Sequence, residues 1–372
     1  MDELVKHVRD HLSQVKPTRA VLGAIVILLL TKSGRLYLKG YLAQALSALS
    51  IHVLPRRLVI GSLRRAFHAP LWYLRSNLNL VTTPAPKYRG QYRPVQGKNW
   101  KGHWIGQSLA NSRASDVTQW VSASDVIVLY FHGGGFVSGH SLQYMAAFSK
   151  WQEVVKAKYN YRVKILSVDY DLAPEHKWPK QNKQCMVAYK YLIKDMKVNP
   201  EKIIIAGDSA GGNLTVMLTL DLEAHHLPLP RGIVMISPWV NFSTTSASLT
   251  SNGRRDYISK SSLQQALKAY LPANRFDELL TSPDASPFNA NLASLPPTLI
   301  TYGGYEIFRD DVKAFAERCK DAGALVQVLS HETREHDWVV DPVIAQTNDA
   351  WEYAWNTIGT WTGHVIRGEY EQ

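Results

Sequence analysis

The chain of 372 residues is 45% hydrophobic and 20% charged, an ordinary globular composition that excludes disorder over most of its length and leaves room for one large α/β core with an appended lobe. Its two cysteines, Cys185 and Cys319, are far apart and outside any metal-ligand spacing, which speaks against a disulfide framework or zinc site and for two small apolar core residues. The net charge of +11 is concentrated, with sixteen Lys/Arg against three Asp/Glu in residues 1–100 and no acidic residue between Asp10 and Asp116. No nucleic-acid module accompanies this basic region, and its interleaved aliphatics suit an anionic membrane surface better.

The first region, 1–93, is basic and apolar. Ala20 to Thr31, AVLGAIVILLLT, is uncharged and bracketed by Lys16 and Arg19 before it and Lys32 and Arg35 after it. It is short of the roughly 20 residues of a full bilayer span, and it lacks a small-x-small cleavage site, which disfavours a removed signal peptide. Leu36 to Leu54 continues apolar. Leu58 to Leu74 then places Leu63, Phe67, Leu71 and Leu74 at helical spacing beside Arg56, Arg57, Arg64 and Arg65. Such a basic amphipathic pattern suits a membrane anchor or surface-lying helix, and equally a cap lobe packed on a catalytic core. Thr82 to Pro94, TTPAPKYRGQYRP, reads as a linker.

An α/β core is expected over 94–242. Trp100–Leu109 and Val117–Val121 read as early strands, and Asp125–Phe131 as a buried one. The last empties into His132-Gly133-Gly134-Gly135-Phe136, where successive glycines let backbone amides converge on an oxyanion. A helix over Ser141–Lys158, a strand over Ile165–Tyr170, a turn stiffened by Pro174 and Pro179, and a helix over Asn182–Met196 follow. Ile203-Ile204-Ile205 then enters Gly207-Asp208-Ser209-Ala210-Gly211, a Gly-x-Ser-x-Gly turn between strand and helix, which is the nucleophile-elbow pattern. Side chains at Gly207 and Gly211 would collide with the neighbouring strand and helix. The oxyanion donors expected from this arrangement are the amides of Gly134, Gly135 and Ala210.

Gly232–Ser237 reads as another buried strand. The polar stretch 243–291 interrupts the alternation of strand and helix as a lid insertion over the strand ends. The core resumes over 292–372, with strands at Thr298–Tyr302 and Leu325–Leu329 and helices at Asp310–Ala322 and Pro342–Thr360. The fold class is therefore α/β-hydrolase, a mostly parallel central sheet flanked by helices, with a helical cap.

A serine hydroxyl is a poor nucleophile near neutral pH and needs a general base, which in turn needs an orienting carboxylate. The chain order for this fold is serine, acid, histidine. Glu306, at a strand-to-helix junction, is the chosen acid, with Asp310 in reserve. Asp310 and Asp311 fit the first turn of the next helix as N-terminal charges. His336 is chosen as base over His331, which directly follows a strand, and over His176, a loop histidine beside prolines. This chemistry requires no cofactor and no metal.

With these pieces together the chain resembles the hormone-sensitive-lipase-like family of α/β-hydrolases, which includes arylacetamide deacetylases and steryl acetyl hydrolases. The resemblance spans about Val126 to Trp338 and rests on HGGGF at 132–136, DYDLAPEHKWP at 169–179, GDSAGG at 207–212, SPWV at 237–240, an acid before FRDD, and His336-Asp337-Trp338. It implies Ser209 as nucleophile, His336 as base, Glu306 as acid, and Gly134, Gly135 and Ala210 as oxyanion donors within the motif that His132 and Gly133 open. The family more often has Asp at 306, Arg at 171, and Gly-Phe at 337–338. Its membrane-bound eukaryotic members, with similar N-terminal extensions, imply a lipophilic acetate as substrate and a membrane location such as the endoplasmic reticulum, against a cytoplasmic alternative.

The expected function is a serine ester hydrolase acting on a lipophilic small-molecule ester. The alternatives are an acyltransferase using the same acyl-enzyme and a ligand-binding protein on a hydrolase scaffold, as in gibberellin receptors that lack the base. A peptidase is disfavoured because no propeller repeat is visible.

Overall fold

The computed structural model describes residues 56–107, 109 and 114–369. The apolar run Ala20 to Thr31 lies outside them. Among the described residues no helix is long and apolar enough to cross a membrane.

Among the described residues two helices come first, α1 (Arg56–His68) and α2 (Leu71–Val81), and the break between them falls at Pro70, which has no amide to continue a helix. β1 (Tyr92–Gly97) and β2 (Trp100–Ile105) then form an antiparallel hairpin. The expected linker therefore ends sooner than its composition suggested, because Tyr92 to Pro94 already belong to a strand. Pro94 is tolerated because β1 is the edge of the sheet, where one side needs no donors.

The strand expected at Val117–Val121 is instead part of helix α3 (Ala114–Ser122). Val117, Trp120 and Val121 turn inward while Thr118 and Gln119 are exposed, a spacing of three to four residues that only a helix satisfies. Chain order continues with β3 (Val126–Phe131), α4 (Met145–Tyr159), β4 (Val163–Asp169), α5 (Lys180–Lys190), β5 (Ile203–Asp208), α6 (Ala210–Ala224), β6 (Gly232–Ile236) and α7 (Lys260–Tyr270). It closes with β7 (Thr298–Gly303), α8 (Arg309–Asp321), β8 (Val326–His331) and α9 (Asn348–Arg367). The expected terminal helix is two pieces: Pro342–Ala345 ends at left-handed Gln346, and Thr347 caps α9 by accepting the Ala350 amide.

Among the described residues the eight strands order as β1-β2-β4-β3-β5-β6-β7-β8, parallel from β4 onward. β3, β5 and β6 are buried at every position, so they read as unbroken apolar runs rather than alternating ones. The core lies on both faces of the sheet. On one face α4 and α9 pack together through Trp151 and Trp355, whose rings are 5.6 Å apart. The chain leaves β3 for β4 on one side and later returns as β5 on the other, so a crevice opens at the carboxyl ends of β3 and β5. Residues 243–291 leave the sheet, and Tyr270 of α7 stacks on Phe136 at 3.8 Å, directly beyond the end of β3.

Candidate active site

β5 delivers Ser209 at its carboxyl end with φ +50° and ψ −116°, a strained turn for a non-glycine residue. The Ser209 amide donates to the Ile236 carbonyl at 2.8 Å, which fixes the turn against β6. The flanking glycines are obligatory: a Cβ at Gly207 would lie 2.3 Å from the Gly211 carbonyl oxygen, and one at Gly211 would lie 1.9 Å from that of Phe131.

His336 stands in the loop after β8 with Nε2 2.9 Å from Ser209 Oγ. Its Nδ1 lies 3.0 Å from Glu306 Oε2, and the other Glu306 oxygen accepts the Gly303 amide at 2.6 Å. Ser209, Glu306 and His336 are all buried. Burial pulls the imidazole's pKa down, but the carboxylates of Asp337 and Glu306 outweigh it and hold His336 well above its ordinary value. Burial likewise raises Glu306, against the opposing pull of His336.

The alternatives weighed for acid and base sit elsewhere. Asp310 pairs with Arg309 and accepts the Ser248 amide, Asp311 accepts from Asn241 and Ser246, His331 packs on Trp338, and His176 is exposed.

The glycine loop after β3 approaches the same point. Gly134 (φ +110°) and Gly135 (φ +64°) line the cavity at Ser209, and a Cβ at Gly134 would lie 2.3 Å from the Ser138 carbonyl oxygen. Ala210 is the first residue of α6, so its amide has no acceptor within the helix. Gly133 plays a different part, donating its amide to Asp208 Oδ1 at 2.9 Å. Asp208 also accepts the hydroxyls of Tyr130 and Tyr144 and so ties the loop to the elbow. His132 is buried and stacked on Tyr170, whose hydroxyl donates to the His132 carbonyl at 2.6 Å.

Sequence reasoning missed three contributors. Asp256, in the stretch 243–291 between β6 and β7, accepts the amides of Tyr257, Ile307 and His336. Glu335 is fully buried and holds Arg56, which also donates to the Thr333 carbonyl, so α1 is bound to the histidine loop. Asp337 Oδ2 lies 3.1 Å from His336 Nε2. Only Asp337 left a trace in the sequence, as the departure after the histidine.

These groups open into a cavity of about 650 Å³ whose walls include Leu63 and Phe67 of α1, Leu74 and Leu78 of α2, and Leu263 of α7. Arg75 holds α2 over the glycine loop by donating to the carbonyls of Val137 and Ala173, each at 2.7 Å, and by pairing with Glu175.

The arrangement offers a hydroxyl, an imidazole and a buried carboxylate in sequence, with free amides nearby, beside an apolar cavity. That is the equipment of acyl transfer from an ester.

A family model described as the alpha/beta hydrolase fold matches residues 128–340. An esterase of Acinetobacter venetianus is 33% identical over 220 residues, covering 59% of this chain and 69% of its own. An acetyl-hydrolase of Streptomyces hygroscopicus is 28% identical over 242 residues, covering 64% of this chain and 77% of its own. The crystal structure of an esterase from the bacterial hormone-sensitive lipase family superposes with a TM-score of 0.69 at 27% identity, over 83% of this chain and 97% of that one. The chain therefore belongs to the alpha/beta hydrolase fold family, among its hormone-sensitive-lipase-like esterases, and is a carboxylic ester hydrolase.

Proposed function

We propose that the enzyme removes a short acyl group, acetate foremost, from a lipophilic alcohol through an acyl-enzyme on Ser209. The observation that carries this reading is the Ser209–His336–Glu306 chain of contacts, at 2.9 and 3.0 Å, opening into a cavity with aliphatic walls. Ser209 Oγ attacks the ester carbonyl while His336 Nε2 takes its proton, and Glu306 holds the Nδ1–H and the imidazolium that forms. The amides of Gly134, Gly135 and Ala210 receive the oxyanion. His336 then protonates the departing alcohol, and water, activated the same way, releases the acid. The acetyl-hydrolase relative supports the short acyl group, and the aliphatic walls support the lipophilic alcohol.

In this reading α1, α2 and residues 243–291 act together as the cap that admits the substrate. Leu58, Trp72 and Tyr73 are exposed on the outer side of α1 and α2. They support a membrane surface as the place where the enzyme meets its substrate, since amphipathic aromatic rings favour the lipid–water interface.

The test is hydrolysis of p-nitrophenyl esters from acetate to decanoate by wild type and Ser209→Ala. Turnover greatest on short chains and lost with Ser209→Ala is expected. Folded protein that turns over none of the series sinks this reading.

A further inference from the structure

His336 Nε2 has two neighbours where the proposed reaction needs one. Ser209 Oγ is 2.9 Å away and Asp337 Oδ2 is 3.1 Å away. A neutral imidazole that keeps its proton on Nδ1 for Glu306 presents a bare lone pair at Nε2. A carboxylate oxygen 3.1 Å from that lone pair repels it, whereas a protonated Nε2 binds it as a charge-assisted hydrogen bond.

The free site thus holds a proton on the nitrogen that must accept one from Ser209. Of the charged and titratable groups around His336 and Asp337, Asp337 and Glu306 are the ones that favour the proton, while burial raises the pKa of Asp256 and Asp208. Glu306 after β7, Asp256 between β6 and β7, Asp208 at the end of β5 and Asp337 itself are acidic, and Tyr130, Tyr144 and Tyr257 are phenols.

Asp337 has little freedom to withdraw. It is 5% exposed, its backbone is left-handed with φ +55°, and its amide donates to Ser237 Oγ at 3.1 Å. Among the described residues its Oδ1 is buried without a hydrogen-bond partner, and Oδ2 meets the His336 ring. Asp337 lines the cavity, so a donor that enters can meet the carboxylate at Oδ2. The leaving oxygen of an ester must sit within hydrogen-bond reach of Nε2, so a hydroxyl on the adjacent carbon of the alcohol is placed beside Oδ2.

We propose that Asp337 is a specificity-determining residue, and that the natural substrate is the ester of an alcohol carrying a second hydroxyl next to the ester oxygen. That hydroxyl donates to Asp337 Oδ2 and replaces the Nε2–H contact. The imidazolium, deprived of its partner, gives its proton to solvent. The freed lone pair then takes the Ser209 proton as the Oγ–carbonyl bond forms, and the same proton passes to the alcohol oxygen as the ester bond breaks. This deepens the esterase reading above and rests on it.

The experiment compares initial rates on octyl acetate and 2-hydroxyoctyl acetate for wild type, Asp337→Gly, Asp337→Asn and Ser209→Ala. Wild type at pH 7 should favour the hydroxy ester in kcat/KM by about tenfold or more, the scale of a hydrogen bond to a charged group. Asp337→Gly suits the left-handed backbone and should bring the ratio near unity, chiefly by accelerating octyl acetate, and should move the acid limb of its pH profile downward. If the glycine variant does not fold, Asp337→Asn, which also tolerates this backbone, carries the same comparison. Equal wild-type rates on both esters, or a preference that survives removal of the carboxylate, overturns the inference while leaving the esterase intact. Absence of Ser209-dependent turnover of both esters fails the esterase reading itself.

Discussion

Asp256 binds His336 by its backbone rather than its ring: the His336 amide donates to Asp256 Oδ1 at 3.3 Å, while Asp256 Oδ2 accepts the amide of Ile307, next to Glu306, at 2.8 Å. One carboxylate from the stretch between β6 and β7 thereby ties together the loops that carry the proposed acid and base.

Asp256→Asn replaces one of two accepting oxygens with a donor, so at least one of those amides faces an NH₂ group. A buried donor left unsatisfied costs about 1–3 kcal/mol. The variant should melt several degrees lower and lose kcat with KM little changed. Unchanged kcat in a variant with lowered Tm would show that Asp256 supports the fold alone.

The base must be neutral to take the Ser209 proton, and the neighbouring carboxylates outweigh burial to hold the His336 pKa well above 6.5. On a plain alkyl ester kcat/KM should therefore climb with pH above neutrality instead of levelling near pH 6.5. A profile already flat at pH 6.5 contradicts this.

Gly134→Ala meets both an unfavourable φ of +110° and a carbonyl oxygen 2.3 Å from the new Cβ. The loop must shift, and its amides with it. Loss of one oxyanion donor lowers kcat about 100-fold or more. Gly135→Ala also meets a positive φ, +64°, but its Cβ would come no nearer than 3.3 Å to the Ala266 side chain and 3.8 Å to Val137, so it should cost less. Steady-state kinetics of the two variants side by side decide the order.

Arg75 and Glu175 form an ion pair whose partners contribute unequally. The Glu175 side chain is 56% exposed, so Glu175→Gln should change stability by under about 1 kcal/mol. Arg75→Ala also strips donors from the Val137 and Ala173 carbonyls and frees α2, so it should raise KM for long-chain esters and lower Tm by several degrees. Equal effects of the two variants would count against the clamp.

Trp72 is 70% exposed and Tyr73 45% exposed on α2. The double variant Trp72→Ser, Tyr73→Ser should co-sediment less with vesicles containing anionic lipid while keeping wild-type turnover of a soluble short ester. Unchanged sedimentation would remove these rings from any membrane contact.

Much of this was legible in the sequence because steric necessity writes itself locally. Gly207, Ser209 and Gly211 announce the elbow since nothing larger fits beside the Phe131 and Gly211 carbonyls. Fully buried strands such as β3 and β5 announce themselves as apolar runs. Glu306 and His336 were selected by chain order and loop position, and the structure brings His336 to Ser209 and Glu306 to the other nitrogen of His336. Less legible was whatever depends on a distant partner. Asp256 sits in a polar insertion with no local sign that its carboxylate reaches residues 307 and 336. The Val117–Val121 segment is β-branched enough to resemble a strand until its inward face is seen to follow helical spacing. Asp337 was visible as an oddity, but its approach to Nε2 depends on a left-handed backbone that the sequence alone does not announce.

The cavity roof has a consequence for how this enzyme diverges. Leu63, Phe67, Leu74 and Leu78 precede residue 128, where the family match begins, while Ser209, Glu306 and His336 all fall within it. Part of the cavity wall thus lies upstream of the stretch that carries the reacting groups, while Leu263 and Asp337 line it from within that stretch. Two relatives can share every reacting atom and still act on unrelated esters, because an upstream helix pair can be rewritten without disturbing the elbow. A graft of residues 56–81 that keeps Arg56 and Arg75 would alter the wall those helices supply and leave Leu263 and Asp337 in place.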